Sequence, residues 1–368
     1  MTLKNKVRFA VAGLGHIAQI AVLPAFKHAS EKCELTALIS NDSEKIEDLS
    51  RKYDIDRAWS YDQFDEALSC GCFDALYIAL PNDMHKAFAI RAANAGVHVL
   101  CEKPMAVTPG DAGEMIEAAR RNRVKLMVAY RLHFEKANMT AVDLIQKGEI
   151  GQARLFNSSF TMQVKEGNIR MQAERGGGPL HDIGIYCINA ARYLFQAEPI
   201  EAMAITAKSA DPRFIEIEEC CGAVLRFPDE KIANFYCSFG AADVQWYEVI
   251  GSEGSIYLEP SYAYDRESEL TVRNDGQEER HKFPKRDQFA PELLHFAECI
   301  LENKEPRPSG EEGLNDLKVI KAIQESAASG KLVAIESHSR SSKPNRELVI
   351  EKPPVITPHL INAESGSR

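Results

Sequence analysis

Val7-Arg8-Phe9-Ala10-Val11-Ala12-Gly13-Leu14-Gly15-His16-Ile17-Ala18 decides the fold. A mostly apolar, strand-like run leads directly into the spacing G-x-G-x-x-A. In that spacing the first glycine permits a tight turn and the second lets the backbone approach a pyrophosphate. The alanine lets the next helix lie against the strand, and that helix's first amides face the anion. Alone the spacing is a weak signal. The strand before it and the helical segment after it, which Pro24 should break into two short pieces, supply the context it needs.

Working outward, residues 35–39 read as a second strand ending in Ser40-Asn41-Asp42-Ser43-Glu44-Lys45. A free ribose hydroxyl would call for Asp or Glu at the strand end, and Ser40 stands there instead. Its hydroxyl and Lys45, one turn into the next helix, suit the 2′-phosphate of NADP, while Asn41 or Asp42 caps that helix. Residues 75–79 form another buried strand, followed by Leu80-Pro81-Asn82-Asp83-Met84-His85 and a helix that Gly96 stops. The apolar run 97–101 then ends abruptly in Glu102-Lys103-Pro104. Charges at the carboxyl end of a strand in an open parallel sheet point into the ligand crevice. Thr108 caps a helix reaching about residue 123, with Pro109 at its first position, and a strand follows over 125–129. This alternation predicts an α/β domain with a doubly wound parallel sheet over residues 1–130. Its strand ends at Gly13, Pro81 and Glu102 should share one crevice. The expected cofactor contacts are Gly13, Gly15, His16, Ile17, Ser40, Lys45, Leu80, Pro81, Asn82, His85, Glu102, Lys103 and Arg131.

Beyond Arg131 the pattern changes. A helix over 134–147 precedes strand-like runs at 153–160, 200–208, 222–227, 232–239, 247–250 and 255–258, which predict an α+β domain with a large open, mostly antiparallel sheet over 131–335. The glycine run 176–178 leads into a helix reaching about residue 195, on which Asp182 and Tyr186 share a face. Taken singly, Asp182 reads as an N-cap and Tyr186 as a half-buried aromatic. Ser309-Gly310-Glu311-Glu312 reads as a capping box opening a helix to about residue 329. Residues 336–368 are rich in Ser, Pro and charge and read as an extended or disordered tail. Its apolar pieces, Leu348-Val349-Ile350 and Pro353-Pro354-Val355-Ile356, leave docking on a neighbouring subunit open.

The 368 residues, 45% of them hydrophobic, can fill two cores. A net charge of -10 speaks against nucleic acid and anionic lipid as partners. The first strand begins too early to leave room for a leader, and no apolar run is long enough to span a bilayer, so a cytoplasmic location is expected. Among nine cysteines, Cys70-Gly71-Cys72 and Cys220-Cys221 lack the two-residue spacer of a zinc or redox pair, so buried free thiols are expected. With no His-Glu-x-x-His either, no metal site is expected.

Taken together, the Gly13 to Ala18 fingerprint, Glu102-Lys103-Pro104, Tyr130-Arg131, residues 176–193 and residues 306–314 resemble the Gfo/Idh/MocA oxidoreductase family. The segment Gly-Gly-Gly-Pro-Leu-His-Asp-Ile-Gly-Ile-Tyr is most similar to its glucose-fructose oxidoreductase branch, where tyrosine replaces the histidine of many relatives. The resemblance implies a Rossmann domain joined to an open-sheet domain used for substrate and for homodimer or homotetramer contact. It also implies that Lys103, Asp182 and Tyr186 are catalytic. The branch's namesake holds NADP with an extra N-terminal arm. With about six residues before the first strand here, an exchangeable NADP(H) is expected.

The implied chemistry is oxidation or reduction of a sugar, polyol or related carbohydrate. A free phenol, with a pKa of about 10, is a poor base near neutral pH. An ammonium at about 4 Å, with an effective dielectric near 20, favours the phenolate by about 4 kcal/mol. Lys103 would thereby poise Tyr186, while Asp182 orients the hydroxyl or keeps Lys103 charged. Arg131, Arg170 and Arg175 are candidate pocket residues. The alternative is a dinucleotide sensor without turnover, which would have no need of Lys103, Asp182 and Tyr186 together.

Overall fold

The computed structural model describes residues 6–336 and 343–366. Its first sheet is built from β1 (Val7–Ala12), β2 (Cys33–Ile39), β3 (Ala58–Trp59), β4 (Ala75–Ile78), β5 (His98–Cys101) and β6 (Leu126–Val128). The strand order is β3-β2-β1-β4-β5-β6 and every pairing is parallel. The order reverses at β1, so the crevice opens between the carboxyl ends of β1 and β4. Continuous burial of Ala75–Ile78 explains why these strands read as unbroken apolar runs. Around Pro24 the chain makes one wide π-type turn (Ala18–Val22) and then α1 (Leu23–His28). The helices α2 (Ser43–Tyr53), α3 (Phe64–Ser69), α4 (Asn82–Asn94) and α5 (Pro109–Asn122) complete the crossovers. Thr108 caps α5 by accepting from the Asp111 amide.

After α6 (Lys136–Gln146), the second sheet contains β7 (Ala153–Gln163), then, beyond α7 (Ile185–Phe195), β8 (Glu201–Ala207), β9 (Cys220–Arg226), β10 (Ile232–Ser238), β11 (Gly240–Gly251), β12 (Gly254–Glu259), β13 (Ser268–Asn274) and β14 (Gln277–Phe283). Two further helices follow, α8 (Ala290–Leu301) and α9 (Gly310–Ser329), and then β15 (Val333–Ala334). The order is β14-β13-β12-β11-β7-β10-β9-β8-β15, antiparallel except where β7 and β10 run parallel. The molecule is therefore α/β in its first half and α+β in its second.

The two halves share packing. Helix α8 returns to the first sheet, where Phe296 stands 6.3 Å from Phe9 and Leu293 joins the same core. Helix α9 carries Glu312 and Asp316 into a buried network with Arg192 and Asn189 of α7. This corrects the capping-box reading, because Ser309 makes no side-chain cap bond and Glu312 turns inward to Arg192 at 3.2 Å. Removing two carboxylates from water requires such a partner, and the fully buried guanidinium supplies it.

The thiol expectation is corrected at one place. Gly71, with φ +62°, folds Cys70 and Cys72 side by side and they form a disulfide, while the other seven cysteines are unpaired. Residues 343–366 lie along their own chain, with Leu348 buried in the first domain's core and the Asp287 amide donating to the Lys352 carbonyl. Among the described residues no helix is long and apolar enough to cross a membrane.

Candidate active site

The fingerprint turn is built by close approach. Gly13 has φ +92°, and a Cβ there would lie 2.3 Å from the Ala79 carbonyl oxygen, so any side chain would push β1 away from β4. At Gly15 nothing stands within 4 Å of an added Cβ among the described residues, which leaves space over the helix entrance. His16 is half-buried beside it. Burial first, and then the cations Arg170 and Lys165, hold its pKa below the ordinary value. Ile17 packs its side chain against the core beneath the turn.

At the end of β2, Ser40 is buried and accepts from the Asp42 amide, and Asp42 caps α2 by accepting from the Lys45 amide at 3.1 Å. The Lys45 ammonium lies 3.3 Å from the same carboxylate. The Lys45 amide, and then its ammonium, keep Asp42 below the usual carboxylate range. A hydroxyl, an ammonium and a helix start thus meet at one strand end. With the open face at Gly15, these residues fit a dinucleotide carrying a phosphate on its ribose.

At the end of β4, the Asn82 side-chain amide donates to the Gly176 carbonyl at 3.0 Å and ties the crevice to the glycine run. Pro81 opens α4. Leu80 turns its carbonyl toward His85. His85 is wholly buried, its ring nitrogens 2.8 and 2.9 Å from the carbonyl oxygens of Leu80 and Pro104, and burial lowers its pKa. It braces the turn after Lys103 from behind instead of facing a ligand, because no path leads from the crevice to a ring with zero exposure.

The reactive groups converge from both halves. Glu102 accepts from the Tyr77 hydroxyl at 2.8 Å, and burial raises its pKa. Lys103 crosses to Asp182, donating to its carbonyl at 2.7 Å and its carboxylate at 3.1 Å. Burial opposes the Lys103 charge, but the fields of Tyr186, Asp182 and Glu102 outweigh it and raise the pKa. Asp182 is no N-cap. It sits in a wide helical turn (Leu180–Gly184) that merges into α7, and its other oxygen takes the Arg170 Nε–H at 2.6 Å. Burial works against its charge, yet Arg170 and Lys103 hold it well below the usual carboxylate range. The glycine run makes that pairing possible. A Cβ at Gly177 would meet the Arg170 carbonyl oxygen at 2.4 Å, so only glycine lets this turn pack on the backbone that carries Arg170.

Tyr186 lies between two cations. The Lys103 Nζ stands 4.8 Å and the Arg131 guanidinium carbon 5.2 Å from its ring centre. Arg131 Nη2 reaches the phenol oxygen at 3.4 Å and the Tyr262 carbonyl at 2.6 Å, and Nη1 donates to Gln288. Expected among the cofactor contacts, Arg131 instead spends its guanidinium on these groups. Arg175 lies 4.0 Å from Asp83 at the rim. A small cavity behind the ring is bounded by Lys103, Arg131, Tyr186 and Asn189. Sequence reading missed Gln288, Tyr262 and Tyr264, the last stacked under Arg131 at 5.1 Å. They lie in irregular connections, where no periodicity exists to show which way a side chain points. Among the described residues, no group of three or more His, Cys, Asp or Glu side chains is placed to hold a metal.

Comparison with known proteins gives the family. Residues 7–130 match the Gfo/Idh/MocA oxidoreductase family with its NAD-binding Rossmann fold, and residues 138–257 match the Gfo/Idh/MocA C-terminal domain. The chain is 33% identical over 340 residues to a D-xylose 1-dehydrogenase (NADP(+)) of Haloarcula marismortui, covering 90% of this chain and 94% of that protein. It is 31% identical to the scyllo-inositol 2-dehydrogenase (NADP(+)) of Bacillus subtilis, covering 81% and 89% respectively. Among solved structures it is similar to an aldose-aldose oxidoreductase of Caulobacter crescentus complexed with glycerol, with TM-score 0.85, 34% identity, and coverage of 90% of this chain and 100% of that one. A 3-ketoreductase of Actinomadura kijaniata in complex with NADP and TDP-benzene superposes with TM-score 0.79 at 28% identity, covering 88% and 98%. With both domains matched and the site assembled between them, the chain belongs to the Gfo/Idh/MocA family of oxidoreductases.

Proposed function

We infer that this protein is an NADP(H)-dependent oxidoreductase acting on a hydroxyl or carbonyl carbon of a sugar, polyol or related carbohydrate. The observation that carries the reading is the meeting of Lys103, Asp182 and Tyr186 at the mouth of a dinucleotide crevice. The relatives' names support it, since those quoted act on sugars, a polyol or a keto sugar and use NADP where a cofactor is given. A sensor without turnover would gain nothing from this cluster of charges.

Bound NADP(H) supplies or takes up the two-electron equivalent at the carbon. The remaining work falls to the chain. Tyr186, with the Lys103 and Arg131 cations on either side of its ring, exchanges the proton of the substrate hydroxyl. Asp182 stays ionised, holds the Lys103 ammonium on the substrate side and keeps Arg170 at the rim. Gly13, Gly15, Ser40, Lys45, Asn82 and the turn after β5 bind and orient the dinucleotide, which places the reacting atoms together.

The protein works as a homodimer or homotetramer formed through the second sheet. The support is an uncovered apolar face on that sheet, where Met203, Ile205, Val224 and Tyr236 are 40, 74, 45 and 62% exposed. Seven unpaired cysteines, six of them buried, weigh more than the one local Cys70–Cys72 disulfide and favour a reducing compartment and hence the cytoplasm. The test is a panel of aldoses, polyols and keto sugars with NADP(H) and NAD(H), followed by absorbance of the reduced nicotinamide. Turnover of at least one carbohydrate with NADP(H) is expected, and a protein that binds NADP(H) yet turns over none would return the reading to a sensor.

A further inference from the structure

The C-terminal segment makes three contacts that span the dinucleotide crevice. At one side, Gln19, in the helical turn just after the fingerprint, holds Ile361 through both backbone groups: it accepts from the Ile361 amide at 2.8 Å and donates to the Ile361 carbonyl at 2.8 Å. The same side chain donates to the Leu14 carbonyl at 2.9 Å, so the fingerprint turn and the tail are fastened by one buried amide. Next to it, the Asn362 side chain donates to Glu44 in the first turn of α2, beside the expected ribose phosphate. At the other end, the Gly366 carbonyl accepts from the Lys165 amide at 2.9 Å, and Gly366 packs against the Arg170 guanidinium that holds Asp182.

Five residue steps separate Ile361 from Gly366 and cover at most about 18 Å. The segment therefore crosses from the adenosine side of the crevice to the reacting side. It leaves the fingerprint turn open at Gly15, where an added Cβ would meet no other part of the described chain within 4 Å. Its chemistry suits a cover. Its one acid, Glu364, faces Lys165 at 3.7 Å, so it brings no unpaired negative charge toward a pyrophosphate. Ala363, Ser365 and Gly366 are small, which allows the backbone to lie close to a ligand beneath it.

We propose that residues 361–366 are part of the dinucleotide site, a strap that closes over bound NADP(H) and slows its release. The proposal rests on the cofactor reading above and adds to it a set of contacts outside the fingerprint. It reverses the expectation of a freely exchanging cofactor, because both ends of the strap must detach before the dinucleotide leaves.

Two measurements on the full chain test it. In hydrogen exchange of the wild-type protein, the amides of residues 361–366 should exchange more slowly when NADPH is added. Faster exchange there would mean that the cofactor displaces the segment, and unchanged exchange that the two do not meet; either result overturns the strap. The second is the NADPH release rate, followed by fluorescence on displacement with excess NADP+, in an Ile361→Pro, Asn362→Asp double variant. Proline removes the amide that donates to Gln19, and the new carboxylate repels Glu44. Release should accelerate about tenfold, the scale of losing one or two hydrogen bonds. A variant with wild-type circular dichroism and an unchanged or slower release rate would sink the proposal, and if it fails to fold the exchange measurement decides alone. Absence of any NADPH binding by the wild type would instead count against the cofactor reading itself.

Discussion

Lys103 stands 4.8 Å from the Tyr186 ring centre, and variants of the two should separate chemistry from binding. In Lys103→Met the ammonium disappears while Arg170 still pairs Asp182 at 2.6 Å, which protects the fold from an uncompensated buried carboxylate. Turnover should fall by about 10²- to 10⁴-fold, the range for losing general acid–base assistance, with NADP(H) affinity held within about tenfold. Wild-type turnover would remove Lys103 from the mechanism. Tyr186→Phe should lower turnover over the same range, since the ring still packs on Phe160 at 5.6 Å and Tyr262 at 5.8 Å while the proton acceptor is gone. Normal turnover with weakened cofactor binding would make Tyr186 a packing residue. A third residue makes a pH argument. Glu292 is fully buried, both its oxygens lack hydrogen-bond partners among the described residues, and burial, then the Glu102 charge, push its pKa well up. Its folded value lies above the unfolded value of about 4.3, so the stability it contributes is complete below that pH and is lost as pH climbs toward the folded value. Glu292→Gln keeps the shape and removes the titration. The melting temperature of the variant should therefore gain on wild type between pH 5 and pH 8, and a difference independent of pH would show that the Glu292 carboxyl is no more protonated in the folded chain than in the unfolded one.

The end of β2 shows how far an element's function can be read before it is seen. The strand, its end at Ser40 and the helix after it were legible because alternation of apolar strand and capped helix is a local signal. The role of Asp42 was legible only as one of two options, since capping depends on a backbone angle that the sequence does not print. The structure makes it the cap and places Lys45 beside it. Other elements escaped for stated physical reasons. β13 and β14 form a polar edge hairpin whose outer strand, Gln277–Phe283, is mostly exposed, so no apolar alternation marks it. Its Asp275-Gly276 turn, with φ +50° and +74°, was nevertheless a readable hairpin signal. Helix α8 is apolar because it covers the first sheet from far along the chain, a contact no local pattern reports. In the site, Lys103, Asp182 and Tyr186 were recognisable as motifs, whereas the ring of Gln288, Tyr262 and Tyr264 around Arg131 depends on tertiary packing. The β2 end also carries a prediction. Ser40→Asp would set a carboxylate against a ribose phosphate and offer an acceptor to a free ribose hydroxyl, so the ratio of NADP to NAD dissociation constants should rise by about tenfold to a hundredfold. An unchanged ratio at matched ionic strength would place the phosphate elsewhere.

At the scale of the whole molecule, the second sheet has one face packed by helices and one face left open. Helix α9 lies under β8, α7 under β7, and the wide turn Leu180–Gly184 under β10, burying Ala202, Ala204, Phe156 and Cys237. The opposite face alternates with these residues and carries large apolar side chains in adjoining rows. Ile205, Gly222 and Tyr236 stand opposite one another across β8, β9 and β10, with Met203, Val224 and Asn234 in the next row and Ile232 beside Leu155 beyond. A free monomer would hold this connected apolar area in water at about 25 cal/mol per Å². The same face of a second copy, turned by a two-fold axis, would cover it without an open edge, because an isologous contact uses each row twice. Placing carboxylates in the centre should then prevent association without touching the core, since Ile205 and Tyr236 point away from α7 and α9. Light scattering of wild type is expected to give a dimer or a multiple of one, and of an Ile205→Asp, Tyr236→Asp variant a monomer with the same far-ultraviolet circular dichroism. The site lies on the other side of the sheet, so NADP(H) binding should persist in the separated subunits. A wild-type protein that remains monomeric at tens of micromolar, or a variant that associates as before, would show that this face serves something other than self-association.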